Sequence, residues 1–183
     1  IKPTWEELPE HKEGDLVIEI DPGIAFGTGA HETTKLCILG LRKYITSDTQ
    51  LLDVGCGSGI LSIIGLKLGA KHALGTDIDE HALEATKENI VVNHIAGEQF
   101  DLLAGNIISE EEIQQKVGMK KYDVVVANIL ADIIIPLSGE IMQHMKEDGV
   151  FISSGILNTK ADEVQDALLK NGFKIIEKNE MGD

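Results

Sequence analysis

The chain has 183 residues, enough for one domain with a sizeable core, and is 43% hydrophobic but only 4% aromatic, so that core is aliphatic. Its formal net charge of −15 argues against general binding of nucleic acid, whose phosphates it would repel, and suits solubility or a basic partner. No apolar run reaches membrane-spanning length, and two cysteines are too few for a disulfide framework, which fits a reducing, cytoplasmic setting.

Residues 1–16, with Trp5, two prolines and several charges, read as an arm or linker. The chain opens on Ile without a signal pattern, so an upstream portion is expected. A short apolar strand is predicted over 17–20, followed by a loop, DPGIAFGTG, over 21–29. A helix follows His31, with Thr33 or Thr34 near its first turn and an apolar stripe of Leu36, Ile38, Leu39, Leu41 and Ile45. The stretch LLDVGCGSG over 51–59 then reads as a buried strand, a tight glycine turn and the immediate start of a helix over 60–68 that stops at Gly69. A strand over 73–77 precedes a helix over 80–93 with Leu83, Ile90 and Val91 on its apolar face.

Beyond it come a weaker strand over 99–103 and an acidic helix over 109–117 that opens on a capping-box-like Ser109. YDVVVA over 122–127 has the strongest β signal, a β-branched run suited to a strand buried on both faces. A helix over 133–146 entered through Pro136, a strand over 149–153, a helix over 160–170 and a last strand over 173–178 complete the chain. Strand and helix alternate throughout, which predicts an α/β fold with a doubly wound, mostly parallel, Rossmann-like sheet.

In such sheets ligands bind beyond the C-terminal strand ends, near the switch in strand order. Four features fall there. Gly55, Gly57 and Gly59 lie between a strand and a helix, where a turn without Cβ atoms lets backbone N–H groups approach a ligand. Their G-x-G-x-G spacing is not that of a dinucleotide site. Asp77 stands 18 residues past Gly59 at the next strand end, placed to accept both ribose hydroxyl protons of an adenosine. Asp79 is read instead as the cap of the helix that begins at Glu80. Asn106 follows Gly105 after the third strand and is either a turn residue or a partner for an adenine edge. Asn128 ends the β-branched strand, beside the glycine strand, where a substrate would meet the cofactor.

LLDVGCGSG with Asp77 resembles the cofactor half of class I S-adenosylmethionine-dependent methyltransferases. The loop DPGIAFGTGAHETT, joined to DVGCGSGILSI, TDID and ANILA, is closer to the family that methylates large-subunit ribosomal protein eleven, and the likeness spans nearly the whole chain. That resemblance implies S-adenosylmethionine as cofactor, with Thr34, Gly55, Asp77 and Asn128 as contacts; the reading of the residues themselves adds Gly57, Gly59 and Asn106 as cofactor-binding candidates. It implies Asn128 beside the methyl group as the catalytic residue, and Phe26, Gly27, Thr28 and His31 as a cover over the site. His31 as a proton acceptor ranks below an ordinary loop histidine. The implied partner is a basic, lysine-rich ribosomal protein, methylated on lysine ε-amines and its N-terminal α-amine, with no nucleic acid or membrane partner.

Against the family pattern, Ala30 and Glu32 replace familiar Thr and Pro. The expected division is an arm and lead-in strand over 1–20 and the S-adenosylmethionine-binding catalytic domain over 21–183. The family's N-terminal substrate-recognition domain is expected to be absent, and the last antiparallel strand to be missing. Two alternatives stand beside this reading: a methyltransferase of nucleic-acid bases and a non-catalytic adenosine-ligand module. Amino-methyltransferases of adenine, or of glutamine side chains, resemble one another in an Asn/Asp-Pro-Pro-aromatic motif whose ring stacks on a planar group. Here Ile129, Leu130 and Ala131 follow the Asn, which suits an aliphatic amine.

Overall fold

The computed structural model of the chain describes residues 1–7, 12, 14–21 and 31–181. Its first elements correct the reading of an unstructured arm: Lys2–Pro3 (β1) pairs in parallel with Glu19–Ile20 (β2). An ion pair of 2.6 Å between Lys2 Nζ and Glu19 Oε1 joins the two, and Ile18 and Ile20 anchor the lead-in strand in the core.

Glu32–Tyr44 forms helix α1, which buries Thr34, Cys37 and Leu41. The buried stripe is rotated from the predicted one, and Leu39 is left 52% exposed. Gln50–Val54 (β3) runs into the glycine turn and Ile60–Lys67 (α2), a helix buried on all sides from Ile60 to Leu66. A Cβ at Gly65 would collide with the Leu51 side chain, so the missing side chain is what lets α2 lie so close to β3. His72–Asp77 (β4), Glu80–Val92 (α3) and Phe100–Ala104 (β5) follow. On α3 the predicted apolar Val91 is 72% exposed, and polar side chains hold much of the buried face.

Glu111–Val117 (α4) starts two residues later than predicted, and Ser109 caps nothing. Asn106 organises this entry instead: its Oδ1 accepts the Ile108 N–H at 2.9 Å, and its own N–H donates to Glu110 Oε1 at 2.8 Å. Tyr122–Asn128 (β6) leads to Ala131–Ile141 (α5), which runs through Pro136 rather than beginning there. Ala131, Ile134, Leu137, Ser138 and Ile141 are buried along one stripe, and burial of that stripe outweighs the loss of a helical hydrogen bond at the proline. The predicted extension to residue 146 fails because Met145 already pairs with Tyr122, opening Met145–Ser154 (β7). Ala161–Lys170 (α6) packs on α5 through Val164 and Leu168.

Residues 173–178, predicted as a strand, form none. Phe173 is tied to the helix end by its N–H bond to Leu168 O and packs on Phe151 with ring centroids 5.7 Å apart. Beyond it the backbone joins no ladder with β7, the edge of the sheet, and a strand without a ladder has no partner for its N–H and C=O groups.

The sheet is parallel throughout, in the order β5-β4-β3-β6-β7. Leu51, Val124 and Val126 face α1, α2 and α3, while Leu52, Val54, Val125 and Ala127 face α4 and α5. Both faces are therefore buried, as the period-2 alternation of an apolar run requires. Strand order reverses between β3 and β6, so the C-terminal ends of β3, β4 and β6 meet at one crevice.

Candidate active site

The glycine turn has its shape for a covalent reason. Gly55, Gly57 and Gly59 have φ of 71°, 57° and 77°, in the left-handed region that residues with a Cβ avoid. The turn is bolted to the next strand by Gly55 N–H and Cys56 N–H, which both donate to Thr76 O at 2.8 and 3.0 Å. Gly57 N–H donates to Asp77 Oδ2 at 2.9 Å, so the predicted cradle and the predicted ribose acid are in direct contact. The other Asp77 oxygen accepts Asp79 N–H at 3.0 Å. Asp79 itself accepts His81 N–H at 2.9 Å as the cap of α3, the role expected for it.

Across the switch point, Asn128 Nδ2 donates to Thr34 Oγ1 at 3.2 Å, joining residues 94 apart in sequence. Thr34 is 1% exposed and Asn128 half-buried. With its amide nitrogen committed to Thr34, Asn128 presents Oδ1, which bonds no described residue, as an acceptor. Asp77, Asn106, Asn128 and Gly55 line one crevice of about 2100 Å³ that runs on past the end of β7. Asn106 joins this rim, but its side-chain oxygen is held in the turn to Ile108, which leaves the amide N–H₂ as its donor to a ligand. His31 stands at the N-cap position of α1 with its side chain 59% exposed and Nδ1 3.2 Å from Thr33 Oγ1, and it lines the same crevice. Phe26, Gly27 and Thr28 lie outside the described residues.

The grip on Ile129 and the part played by Asp53 were not visible as such in the sequence. Ile129 is gripped from two sides: a Cβ at Gly55 would lie 2.6 Å from its Cγ2, and one at Gly155 would lie 2.5 Å from its carbonyl oxygen. Its N–H donates to Ser154 O at 3.1 Å. Asp53, one residue pair below the turn, is 1% exposed. Its Oδ2 accepts both Ser62 N–H at 3.0 Å and Ser62 Oγ–H at 2.8 Å. The cap residue of α2 is Gly59, which has no side chain to satisfy the first-turn N–H groups, and Asp53 supplies that acceptor from the strand. The signal was an acid inside an otherwise apolar strand followed nine residues later by serine inside an apolar helix. Burial pushes the Cys37 thiol up to about 12 and raises that of Cys56, so neither is a nucleophile near neutral pH.

Burial, against the two Ser62 bonds and with the charge of Asp77 adding, pushes the Asp53 carboxyl up to about 7 from its ordinary 3.8. Between those values the folded chain keeps a proton that the unfolded chain releases. Stability therefore falls as pH rises through that window and levels off above it. Asp53→Asn removes this dependence while keeping an acceptor for Ser62. Its urea-unfolding free energy, relative to the parent chain, is expected to rise by an amount on the order of a few kcal/mol between pH 4.5 and pH 8. A difference that stays constant with pH overturns this assignment.

Among the described residues no group of three or more His, Cys, Asp or Glu side chains is disposed to hold a metal ion, and no helix is long and apolar enough to cross a membrane. The family model described as ribosomal protein L11 methyltransferase (PrmA) matches residues 1–183. The chain is 56% identical over 196 residues to the ribosomal protein L11 methyltransferase of Lachnoclostridium phytofermentans, covering 100% of this chain and 59% of that protein. It is 52% identical over 186 residues to the corresponding protein of Agathobacter rectalis, covering 100% of this chain and 58% of that one. It thus spans less than two thirds of the length of these curated relatives. The crystal structure of the ribosomal protein L11 methylase from Lactobacillus delbrueckii subsp. bulgaricus superposes with a TM-score of 0.87 at 36% identity, covering 98% of this chain and 88% of that one.

Proposed function

The chain belongs to the ribosomal protein L11 methyltransferase family, and from that membership we propose that residues 21–183 are the S-adenosylmethionine-binding catalytic part of a protein N-methyltransferase, with residues 1–20 as its lead-in. Its substrate on this reading is a basic, lysine-rich large-subunit ribosomal protein, methylated on lysine ε-amines and the N-terminal α-amine, in the cytoplasm. The observation that carries the reading is the convergence of two contacts at one switch point: Gly57 with Asp77, and Thr34 with Asn128. The first orients the carboxylate acceptor an adenosine ribose needs, and the second faces an amide acceptor into the same crevice.

The residues fit the cofactor. The turn holds Gly55, Gly57 and Gly59 in left-handed backbone, and a Cβ at Gly55 or Gly59 would strike Ile129 or Thr86, so a side chain at either would push the cradle out of shape. Each Asp77 oxygen accepts one backbone N–H and retains a lone pair for a ribose hydroxyl. The Asn106 amide group is the candidate partner for an adenine edge. Phe26, Gly27, Thr28 and His31 are the proposed cover. When bound, S-adenosylmethionine supplies an electrophilic methyl on a sulfonium leaving group that needs no protonation.

The chain's own work is to present a neutral amine in line with that methyl. A lysine amine has a pKa of about 10.4 and must lose a proton before it can attack, and desolvation in the crevice favours that loss. Asn128 Oδ1 accepts an N–H of the amine and so directs the nitrogen lone pair. Thr34 fixes which end of the amide is turned to the amine. Asn128 is not a base, and the proton passes to water. The aliphatic Ile129-Leu130-Ala131 and the net charge of −15 both support a basic aliphatic amine over a planar nucleic-acid base.

Titration calorimetry of the chain with S-adenosylmethionine and with NAD tests the cofactor; binding of NAD alone would falsify the reading. Radiolabel transfer to a lysine-rich ribosomal protein is expected to exceed transfer to RNA, and the reverse result favours a base methyltransferase. Asn128→Ala is expected to lower methyl transfer about 100-fold, as losses of an aligning group commonly do, and to lower it further than it weakens cofactor binding by calorimetry.

A further inference from the structure

Helix α3 turns a polar stripe into the core. Thr86 and Asn89 on the helix and Asn93, its C-cap residue, follow the spacing i, i+3 and i+7 along one face and are 0%, 0% and 4% exposed. Such a face is ordinarily apolar, because a buried amide without partners is costly. All three side chains are engaged with backbone. Thr86 Oγ1 donates to Gly57 O at 2.7 Å. Asn89 Nδ2 donates to Ser58 O at 2.9 Å and to Asp21 O at 2.8 Å, and its Oδ1 accepts Asp21 N–H at 2.9 Å. Asn93 Oδ1 accepts Glu19 N–H at 3.0 Å, and its Nδ2 donates to Glu19 O at 2.6 Å and Asn89 O at 2.8 Å.

The spacing has a geometric reason. Four residues of helix rise about 6 Å, and two residues of strand advance about 6.6 Å. Two amides one turn apart therefore match the alternate backbone groups of Glu19 and Asp21, and the helix face stands in for a neighbouring strand. Asn89 does one thing more than Asn93: the same amide that holds Asp21 also holds Ser58, inside the glycine turn.

We infer that Asn89 is a positioning residue for the cofactor cradle, tying the Ser58 carbonyl to the Asp21 backbone so that the turn holds Gly57 N–H against Asp77. Thr86 assists from the adjacent carbonyl of Gly57. The two bonds pull consecutive carbonyls of the turn toward α3, and the peptide planes of the cradle are fixed from behind by side chains that do not themselves reach the ligand crevice. This inference rests on reading the turn and Asp77 as the cofactor site. Asn93 is the internal control, since it makes the same kind of clamp on Glu19 and touches no residue of the turn.

The test compares Asn89→Ala, Asn93→Ala and Thr86→Val in the full 183-residue chain. Calorimetry gives the dissociation constant for S-adenosylhomocysteine, thermal unfolding gives the midpoint, and hydrogen exchange gives the protection of the Gly57 amide. Asn89→Ala is expected to weaken binding about tenfold and to speed Gly57 exchange about tenfold. Thr86→Val, which exchanges the hydroxyl for a methyl group of similar size, moves both in the same direction by about threefold and keeps the test open if Asn89→Ala does not fold. Asn93→Ala lowers the unfolding midpoint but leaves binding and Gly57 exchange within twofold of the parent chain. Unchanged Gly57 exchange in Asn89→Ala, or in Thr86→Val where Asn89→Ala does not fold, overturns the inference, as does an equal effect of Asn93→Ala. If the parent chain binds no S-adenosylhomocysteine, the cofactor reading fails. Gly57 exchange alone then decides whether Asn89 positions the turn.

Discussion

Asp77→Ala weakens binding of S-adenosylhomocysteine by about 100-fold or more, while Asp79→Ala changes it by less than about threefold. The magnitude follows from what Asp77 holds. A hydrogen bond to a charged acceptor contributes about 1.5–3 kcal/mol, and two ribose hydroxyls on one carboxylate account for at least a hundredfold at 1.4 kcal/mol per factor of ten. The substitution also frees the Gly57 and Asp79 N–H groups that the carboxylate now holds at 2.9 and 3.0 Å, so the cradle loses its anchor along with the ligand. Asp79 faces a backbone N–H of α3, and its loss costs about 1 kcal/mol of stability, as for other helix caps. Titration calorimetry and urea unfolding on both variants separate the two roles. Equal losses of affinity would mean that the acid two residues on is the ligand's partner.

Gly155→Ala is the second large effect, at a position with no ligand contact proposed. Its φ is 87°, and a Cβ there would lie 2.5 Å from Ile129 O, 3.0 Å from Ile129 C and 3.2 Å from Ile129 N. The left-handed backbone alone costs about 1–2 kcal/mol for a residue with a Cβ. The contact with backbone atoms cannot be relieved by a rotamer change, so the segment after β6 must move. A total loss of about 3 kcal/mol or more is expected in urea unfolding. Ile129 follows Asn128 directly, so the displacement also reaches the proposed amine acceptor, and methyl transfer falls further than cofactor affinity. Gly69→Ala is the matched control: its φ is 108°, but nothing lies within 4 Å of the added carbon. It is expected to lose only the backbone contribution and to leave transfer intact. Equal losses at the two glycines would remove Ile129 from the account.

Much of the frame was open to reading because it is written in local patterns. The β-branched run of β6 and the strand–glycine–helix join after β3 each satisfy a periodicity or a dihedral requirement within one stretch of chain. The sequence fixes where Gly55, Asp77 and Asn128 fall, at strand ends, and alternation of strand and helix brings those ends to one side of the sheet. The misplaced elements are those decided by a distant neighbour. α5 runs through Pro136 because α6 and the sheet bury its stripe, and residues 173–178 form no strand because no ladder receives them. Contacts across sequence distance decided the rest: Thr34 with Asn128, Asp53 with Ser62, and Asn89 with both Asp21 and Ser58. A buried polar side chain is intelligible only once its partner is known, because the same amide is a defect when unpaired and a clamp when paired. The sequence by itself determined which residues stand at the ends of the strands; only the tertiary structure decided which of them touch, since hydrogen-bond partners are chosen by packing and not by spacing along the chain.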